Sequence, residues 1–215
     1  MNIAIIQSRM ASTRLPGKAL MLLDSNPLIY HVIQRGRKIK GIDKVILATS
    51  VNVENDELAV YAKSLGIEVF RGDEKNVLER FYFIAKNHSA NNVIRLTGDN
   101  PLVDFKAFSY LLDQHVKSKS DYTCSKGFPV GSVGDLFSFN AIETSYRNAD
   151  GKDLEDHVDL YVMENQEKFK IFCYELNIDY SAVRMTIDDL VDYERIKKLI
   201  NLIENVEGNV LEDLC

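Results

Sequence analysis

No apolar run in the 215 residues approaches the roughly 20 that a membrane-spanning helix requires. The opening Met1-Asn2-Ile3-Ala4-Ile5-Ile6 turns polar at Gln7, too short for the apolar region of a signal peptide. Cysteine is scarce. Cys124, Cys173 and Cys215 are odd in number and far apart, with no C-x-x-C spacing, so neither a disulfide framework nor a zinc site is suggested. Positive charge is also short: 26 Lys and Arg against 32 Asp and Glu leave a formal charge of −6. A general nucleic-acid binder needs the opposite sign to displace counterions. These absences predict a cytoplasmic protein with no membrane and no nucleic-acid partner. No G-x-G-x-x-G follows the first apolar run, which removes a dinucleotide-binding oxidoreductase from consideration.

What remains is the balance of a folded globular chain, 46% hydrophobic and 27% charged. Short apolar runs alternate with amphipathic stretches, the pattern of βαβ units. Strands are expected at Ile3 to Ile6, Val45 to Thr49, Ile67 to Phe70 and Val93 to Thr97, and less plainly at Asp135 to Phe139 and Lys170 to Leu176. Helical faces are formed by Leu58, Tyr61, Ala62 and Leu65, ended by Gly66; by Val77, Phe81, Ile84 and Ala85; and by Phe108, Leu111, Leu112 and His115. An earlier helix is expected to begin at Pro27, one over Asp153 to Glu164, and a last one with Tyr193, Ile196, Ile200 and Ile203 on one face. With no repeat, linker or low-complexity tract, the expectation is one α/β domain over residues 1–215: a three-layer, mostly parallel twisted sheet flanked by helices.

The basic residues that exist are concentrated. Gln7 to Leu20 reads Q-S-R-M-A-S-T-R-L-P-G-K-A-L, placing Arg9, Arg14 and Lys18 with Ser12, Thr13 and Gly17 just after the first strand. In open α/β sheets ligands bind at that carboxyl edge. Guanidinium and ammonium groups pair with phosphate oxygens, and backbone N–H groups of a small-residue loop donate to them. A solvated basic loop is the plain alternative. The spacing is not that of a Walker A motif. The run Ala11 to Leu20 after a buried strand and an arginine resembles the signature of the sugar-acid cytidylyltransferases, which include the CMP-Kdo and CMP-acylneuraminate synthetases. It is closer still to their SpsF-like branch. The resemblance implies that Arg9, Ser12 and Lys18 hold a nucleoside triphosphate, with Gln7 and Thr13 nearby; Arg14 either joins them or braces the loop.

Two acidic segments extend the resemblance. Leu96-Thr97-Gly98-Asp99-Asn100-Pro101-Leu102 follows the fourth strand and, by itself, reads equally well as a turn. It resembles the family's L-x-G-D-x-P-L metal-binding element, which would make Asp99 a Mg²⁺ ligand, with Asp104 left to cap the next helix. Arg184-Met185-Thr186-Ile187-Asp188 resembles R-x-T-[VI]-D, implying that Asp188, placed after a strand, is the second metal carboxylate. Asp189 and Asp192 suit the start of the last helix. Ala48-Thr49-Ser50 is similar to the branch's A-T-[ST] strand end. Val69 to Phe81 is similar to its V-F-R-G-x-E-x-x-V-L-x-R-[FY] and nominates Arg71, Asp73 and Arg80 for the nucleoside, or for a salt-bridged helix start. Glu155-Asp156-His157-Val158 is similar to the family's E-H-V-T and nominates His157 for sugar or pyrophosphate, although a lone histidine is more often structural. One segment departs. Where the branch shows P-x-G-x-D-V-E-V-F-S, this chain reads Pro129 to Ser138 with Val133 at the first acidic position and Asp135 for the glutamate. That segment would face the sugar.

Together these residues predict a Mg²⁺-dependent enzyme that transfers CMP from CTP to a sugar acid for polysaccharide synthesis, releasing pyrophosphate. Asp99 and Asp188 would hold the metal while Arg9 and Lys18 stabilise the departing charge. The resemblance also implies a homodimer. Alternatives are another nucleotide or a sugar 1-phosphate, and a catalytically silent nucleotide binder.

Overall fold

The computed structural model describes residues 1–149 and 157–203, with side chains described through residue 200. Seven strands form one sheet: β1 (Asn2–Gln7), β4 (Lys44–Ser50), β5 (Glu68–Gly72), β6 (Asn92–Thr97), β7 (Tyr122–Lys126), β8 (Leu136–Ser138) and β9 (Ile171–Glu175). Their order across the sheet is β5-β4-β1-β6-β8-β7-β9. All neighbours run parallel except at β8, which is antiparallel to both β6 and β7. A two-stranded ribbon, β2 (Leu22–Leu23) and β3 (Asn26–Pro27), lies outside the sheet. The mostly parallel sheet flanked by helices is the fold class expected.

The alternating faces of the central strands explain the two helix layers. Ala4, Ile6, Val45, Leu47, Ile94 and Leu96 pack against α1 (Leu28–Arg37), α2 (Asp56–Ser64), α4 (Phe105–Ser118) and α7 (Leu190–Ile203). Ile3, Ile5, Ile46, Ala48 and Val93 point the other way, to α3 (Val77–Asn87), α5 (Phe139–Asn148) and α6 (Leu160–Glu164). All eleven are buried. Asp104 caps α4, its Oδ1 accepting the Lys106 and Ala107 N–H groups at 3.1 and 2.9 Å.

Several boundaries differ from the sequence reading. Pro27 does not open α1: it pairs with Leu22 in the ribbon, and the helix begins one residue later. The strand expected at Asp135 to Phe139 is only three residues long, because the Ser138 hydroxyl accepts the Ala141 N–H and starts α5 there. That helix and β7 were not foreseen. In the helix expected over Asp153 to Glu164, only α6 is helical; residues 153–156, Glu155 and Asp156 among them, lie outside the described residues, as does Cys215.

Two tight backbone approaches fix the carboxyl edge. The turn after β6 sits on the end of β1, with the Gly98 N–H donating to the Gln7 carbonyl at 2.8 Å. A methyl group on Gly98 would lie 2.3 Å from Ser8 Oγ and 2.4 Å from Ser8 Cβ. Gly131, at φ 88°, presses against Asn100 and the Thr186 N–H with no room for a Cβ.

Gly98→Ala is therefore expected to cost about 1–3 kcal/mol of stability as an overpacked contact. Adding Ser8→Gly should recover most of it; a double variant no more stable in urea titration than the single one would rule out the clash as cause. His115 on α4 is buried, its Nδ1 2.8 Å from Thr123 Oγ1. Burial pushes its pKa from 6.5 down to about 4, against the opposing pull of the Asp121 charge. The unfolded chain then binds a proton that the folded one refuses, so stability falls as pH drops from 6.5 towards 4. His115→Gln should flatten that slope by up to about 3 kcal/mol across the window; identical slopes for both proteins would exclude His115 as its source.

Candidate active site

The carboxyl ends of β1 and β6, with the loop after β1, enclose a cleft of about 440 Å³. The loop is folded by its own backbone: Ser12 and Gly17 N–H groups both donate to the Met10 carbonyl at 2.9 Å. Gly17, at φ 75°, supplies the left-handed turn that delivers Lys18 into the cleft. The loop is moored to the end of β4 by Asn55, whose Oδ1 accepts the Met10 N–H at 2.8 Å while its Nδ2 donates to Ser50 Oγ. Asn55 is wholly buried, and nothing in its sequence context marked it.

Lys18 is the junction of the site. Its Nζ lies 2.8 Å from Asp99 Oδ2, 3.8 Å from Asp188 Oδ1 and 2.7 Å from the Ile187 carbonyl. Asp188 also receives Arg14 at 2.9 Å and Arg184 at 2.7 Å. Arg14 thus both lines the cleft and braces the loop against Asp188. The segment bearing Asp188 is not a strand of the sheet. It is an extended run with one bridge, Val130 to Arg184, held to the metal-element turn by Ile187 N–H donating to the Asp99 carbonyl at 2.9 Å. Behind it the Asp188 N–H donates to Asp192 Oδ2 and the Asp192 N–H to Asp189 Oδ1, so both residues do open α7.

Gln7, Arg9, Ser12, Thr13, Arg14, Lys18, Arg80, Asp99, His157 and Asp188 all line the cleft, gathered from distant parts of the chain. Arg71 and Asp73 do not. Arg71 clasps the end of β4, donating to the Ser50 and Asn52 carbonyls and pairing with Asp56 at 2.6 Å. Asp73 Oδ1 accepts the Lys75 and Asn76 N–H groups and shapes the turn before α3. Arg80 is buried and donates to the Asp73 and Glu74 carbonyls, which fixes the same turn from the cleft side.

Two charged lining residues were passed over in the sequence. Glu74 sits at one end of the cleft, 3.4 Å from Arg9 and hydrogen-bonded by the Asn52 amide; it is the glutamate of the V-F-R-G-x-E segment. Arg95 lies in the cleft floor, and a charge inside the apolar run Val93 to Leu96 was its signal. Its Nε donates to Gln7 Oε1 at 3.3 Å, and its Nη1 faces Asp135 at 3.2 Å and Asp159 at 3.7 Å. Asp135 also accepts the Tyr122 hydroxyl at 2.6 Å. Burial, then the neighbouring Asp159 charge, raises the Asp135 pKa against the pull of Arg95. Burial and the Asp135 charge raise that of Tyr122. Asp135 lines a second depression of about 260 Å³ with Asn100, Gly131 and Val133; Arg95 and Thr97 border both spaces.

The donor set suits a hard divalent cation. Asp99 and Asp188 converge on one ammonium, which marks a point where positive charge is already stabilised. No group of three or more His, Cys, Asp or Glu side chains placed to hold a metal occurs among the described residues. Two carboxylates with room for phosphate oxygens and water match the way Mg²⁺ is held, and not a zinc cage. No helix among the described residues is long and apolar enough to cross a membrane.

A family model described as cytidylyltransferase matches residues 3–213. The spore coat polysaccharide biosynthesis protein SpsF of Bacillus subtilis is 37% identical over 202 residues, 91% of this chain and 84% of that one. Among solved structures, a cytidylyltransferase from Leptospira borgpetersenii has a TM-score of 0.88 at 30% identity, over 94% of this chain and 87% of that one. A CMP:2-keto-3-deoxy-manno-octonic acid synthetase complexed with CTP shares the fold, with a TM-score of 0.75 at 17% identity over 94% of this chain and 99% of that one. With its model match spanning nearly the whole sequence, the chain belongs to the cytidylyltransferase family and is a nucleotidyltransferase.

Proposed function

We propose that the protein transfers CMP from CTP to a sugar acid, with Mg²⁺ bound at Asp99 and Asp188 and pyrophosphate as the second product. The convergence of Lys18, Asp99 and Asp188 at the head of the basic loop carries this proposal. A relative named for polysaccharide biosynthesis and a structural relative complexed with CTP support it. Bound there, Mg²⁺ would neutralise phosphate charge and act as a Lewis acid towards the α-phosphate.

The chain's own residues position and neutralise. Lys18 reaches the cleft from the loop and offers its ammonium to phosphate oxygens once a cation takes over the two carboxylates. The small-residue loop with Ser12 and Thr13 exposes backbone N–H groups beside it. Arg9 is exposed on the same loop, where a swing away from Glu74 would bring it to the triphosphate. The acceptor hydroxyl attacks the α-phosphorus in line; pyrophosphate leaves towards Arg9 and Arg14. The depression lined by Asp135, open to the cleft at Arg95 and Thr97, suits the sugar. Its wall contains the departing Gly131 to Asp135 segment, so its acceptor differs from that of enzymes with the usual sequence there. The enzyme is proposed to act in the cytoplasm as a homodimer.

Pyrophosphate release with Mg²⁺, each of four NTPs and a panel of sugar acids and sugar 1-phosphates tests the activity. The expected result is release that requires CTP and a sugar acid and stops when EDTA removes the metal. Nucleotide binding with no turnover for any pair would instead mark a silent nucleotide binder. Asp99→Asn should lower kcat by about a hundredfold or more, the scale of losing one major electrostatic element; activity within about threefold of wild type would remove Asp99 from the metal site. Lys18→Ala should raise KM for the nucleotide and lower kcat, and unchanged constants would refute its phosphate role.

A further inference from the structure

The cleft has two chemically different ends. Lys18, Asp99 and Asp188 mark the end where phosphate and metal belong. Glu74 stands at the other, on the turn after β5. Asp99 follows β6, and β5 and β6 are three strand spacings apart in the order β5-β4-β1-β6. That is roughly 14 Å along the sheet edge, a span suited to a nucleoside and its α-phosphate laid across the strand ends. With the α-phosphate at the metal pair, the base meets Glu74.

We infer that Glu74 selects the base, its carboxylate accepting a hydrogen bond from the exocyclic amino group of cytosine. The inference rests on the nucleotidyl-transfer activity proposed above and names the residue that sets its nucleotide. Glu74 is the one carboxylate lining the cleft besides Asp99 and Asp188 among the described residues. Its two oxygens are held from outside, Oε1 by Arg9 and Oε2 by the Asn52 amide. A carboxylate has about four lone-pair sites, so each oxygen keeps one for a ligand. The turn carrying it is rigid: the buried Arg80 grips the Asp73 and Glu74 carbonyls, and Asp73 ties the Lys75 and Asn76 N–H groups.

The chemistry separates the two pyrimidines. Cytosine presents an N4 amino donor where uracil presents an O4 acceptor, and glutamate accepts from the former. A carbonyl oxygen placed against an ionised carboxylate is repelled and leaves its own hydrogen bond unmade.

Isothermal titration with CTP and with UTP, each with Mg²⁺, tests this without knowledge of the acceptor. Wild type should bind CTP at least about tenfold more tightly than UTP, the scale of a good base-edge contact. In Glu74→Gln the ratio should shrink about tenfold, because an amide can turn its NH₂ towards O4. A change in the loop's packing alone would weaken both nucleotides alike, so an unshifted ratio overturns the inference. Wild type supplies a check that needs no variant: CTP methylated twice at N4 carries no N–H there and should bind as poorly as UTP, and equal affinity with CTP would again overturn it. If wild type binds no CTP, the proposed activity itself fails. If it binds CTP but tells neither analogue apart, only the role of Glu74 fails.

Discussion

One ammonium group ties together three segments that lie far apart in the sequence. Lys18 comes from the loop after β1, Asp99 from the turn after β6, and Ile187 and Asp188 from the run that leads into α7. Each contact spans a large stretch of sequence, 81 residues to Asp99 and 169 to Ile187. Without Lys18 the Asp99 carboxylate would lose its ammonium partner, while Asp188 would keep Arg14 and Arg184. The same arrangement keeps a place of stabilised positive charge, which is what a metal and a triphosphate require.

Around this junction the fold is rigid where backbone meets backbone. Gly98 on Gln7 and Ser8, Ile187 on Asp99, and Gly131 against Asn100 and Thr186 set the two acidic segments relative to each other. The outer rim is made differently. Arg9, Glu74 and Asn52 touch through side chains that are partly or wholly open to solvent. Between these zones lies Arg95, compensated by Asp135 and Asp159 and bonded to Gln7. It lines both the cleft and the second depression.

The parallel half of the sheet was legible because its strands are short apolar runs between strong helix patterns: Ile3 to Ile6 and Val45 to Thr49 are buried on both faces and read accordingly. The other half was not. Tyr122-Thr123-Cys124-Ser125-Lys126 is too polar to announce a strand and exists because β8 and β9 flank it. β8 was overdrawn because Ser138 ends it with a cap that one residue type alone could not announce. In the site, Arg9, Lys18, Asp99 and Asp188 were found through contiguous motifs, and the fold brings them into one cleft. Arg71 and Asp73 lie in an equally dense motif, but Arg71 clasps the end of β4 and Asp73 shapes the turn that carries Glu74. Motif density reports that a segment matters. Which of its side chains faces inward is decided by the turn's hydrogen bonds, to which Arg80, a helix residue of the same segment, contributes.

The absence of slack at Gly98 has an evolutionary side. A Cβ there would lie 2.3 Å from Ser8 Oγ, far inside van der Waals contact, so a side chain at position 98 requires a change at position 8. The chemical end of the cleft is thereby closed to single-step drift. Glu74, half-buried and with its carboxylate held by side chains, is open to it. A lineage of such proteins is free to explore new nucleotides one substitution at a time while inheriting its reaction centre intact.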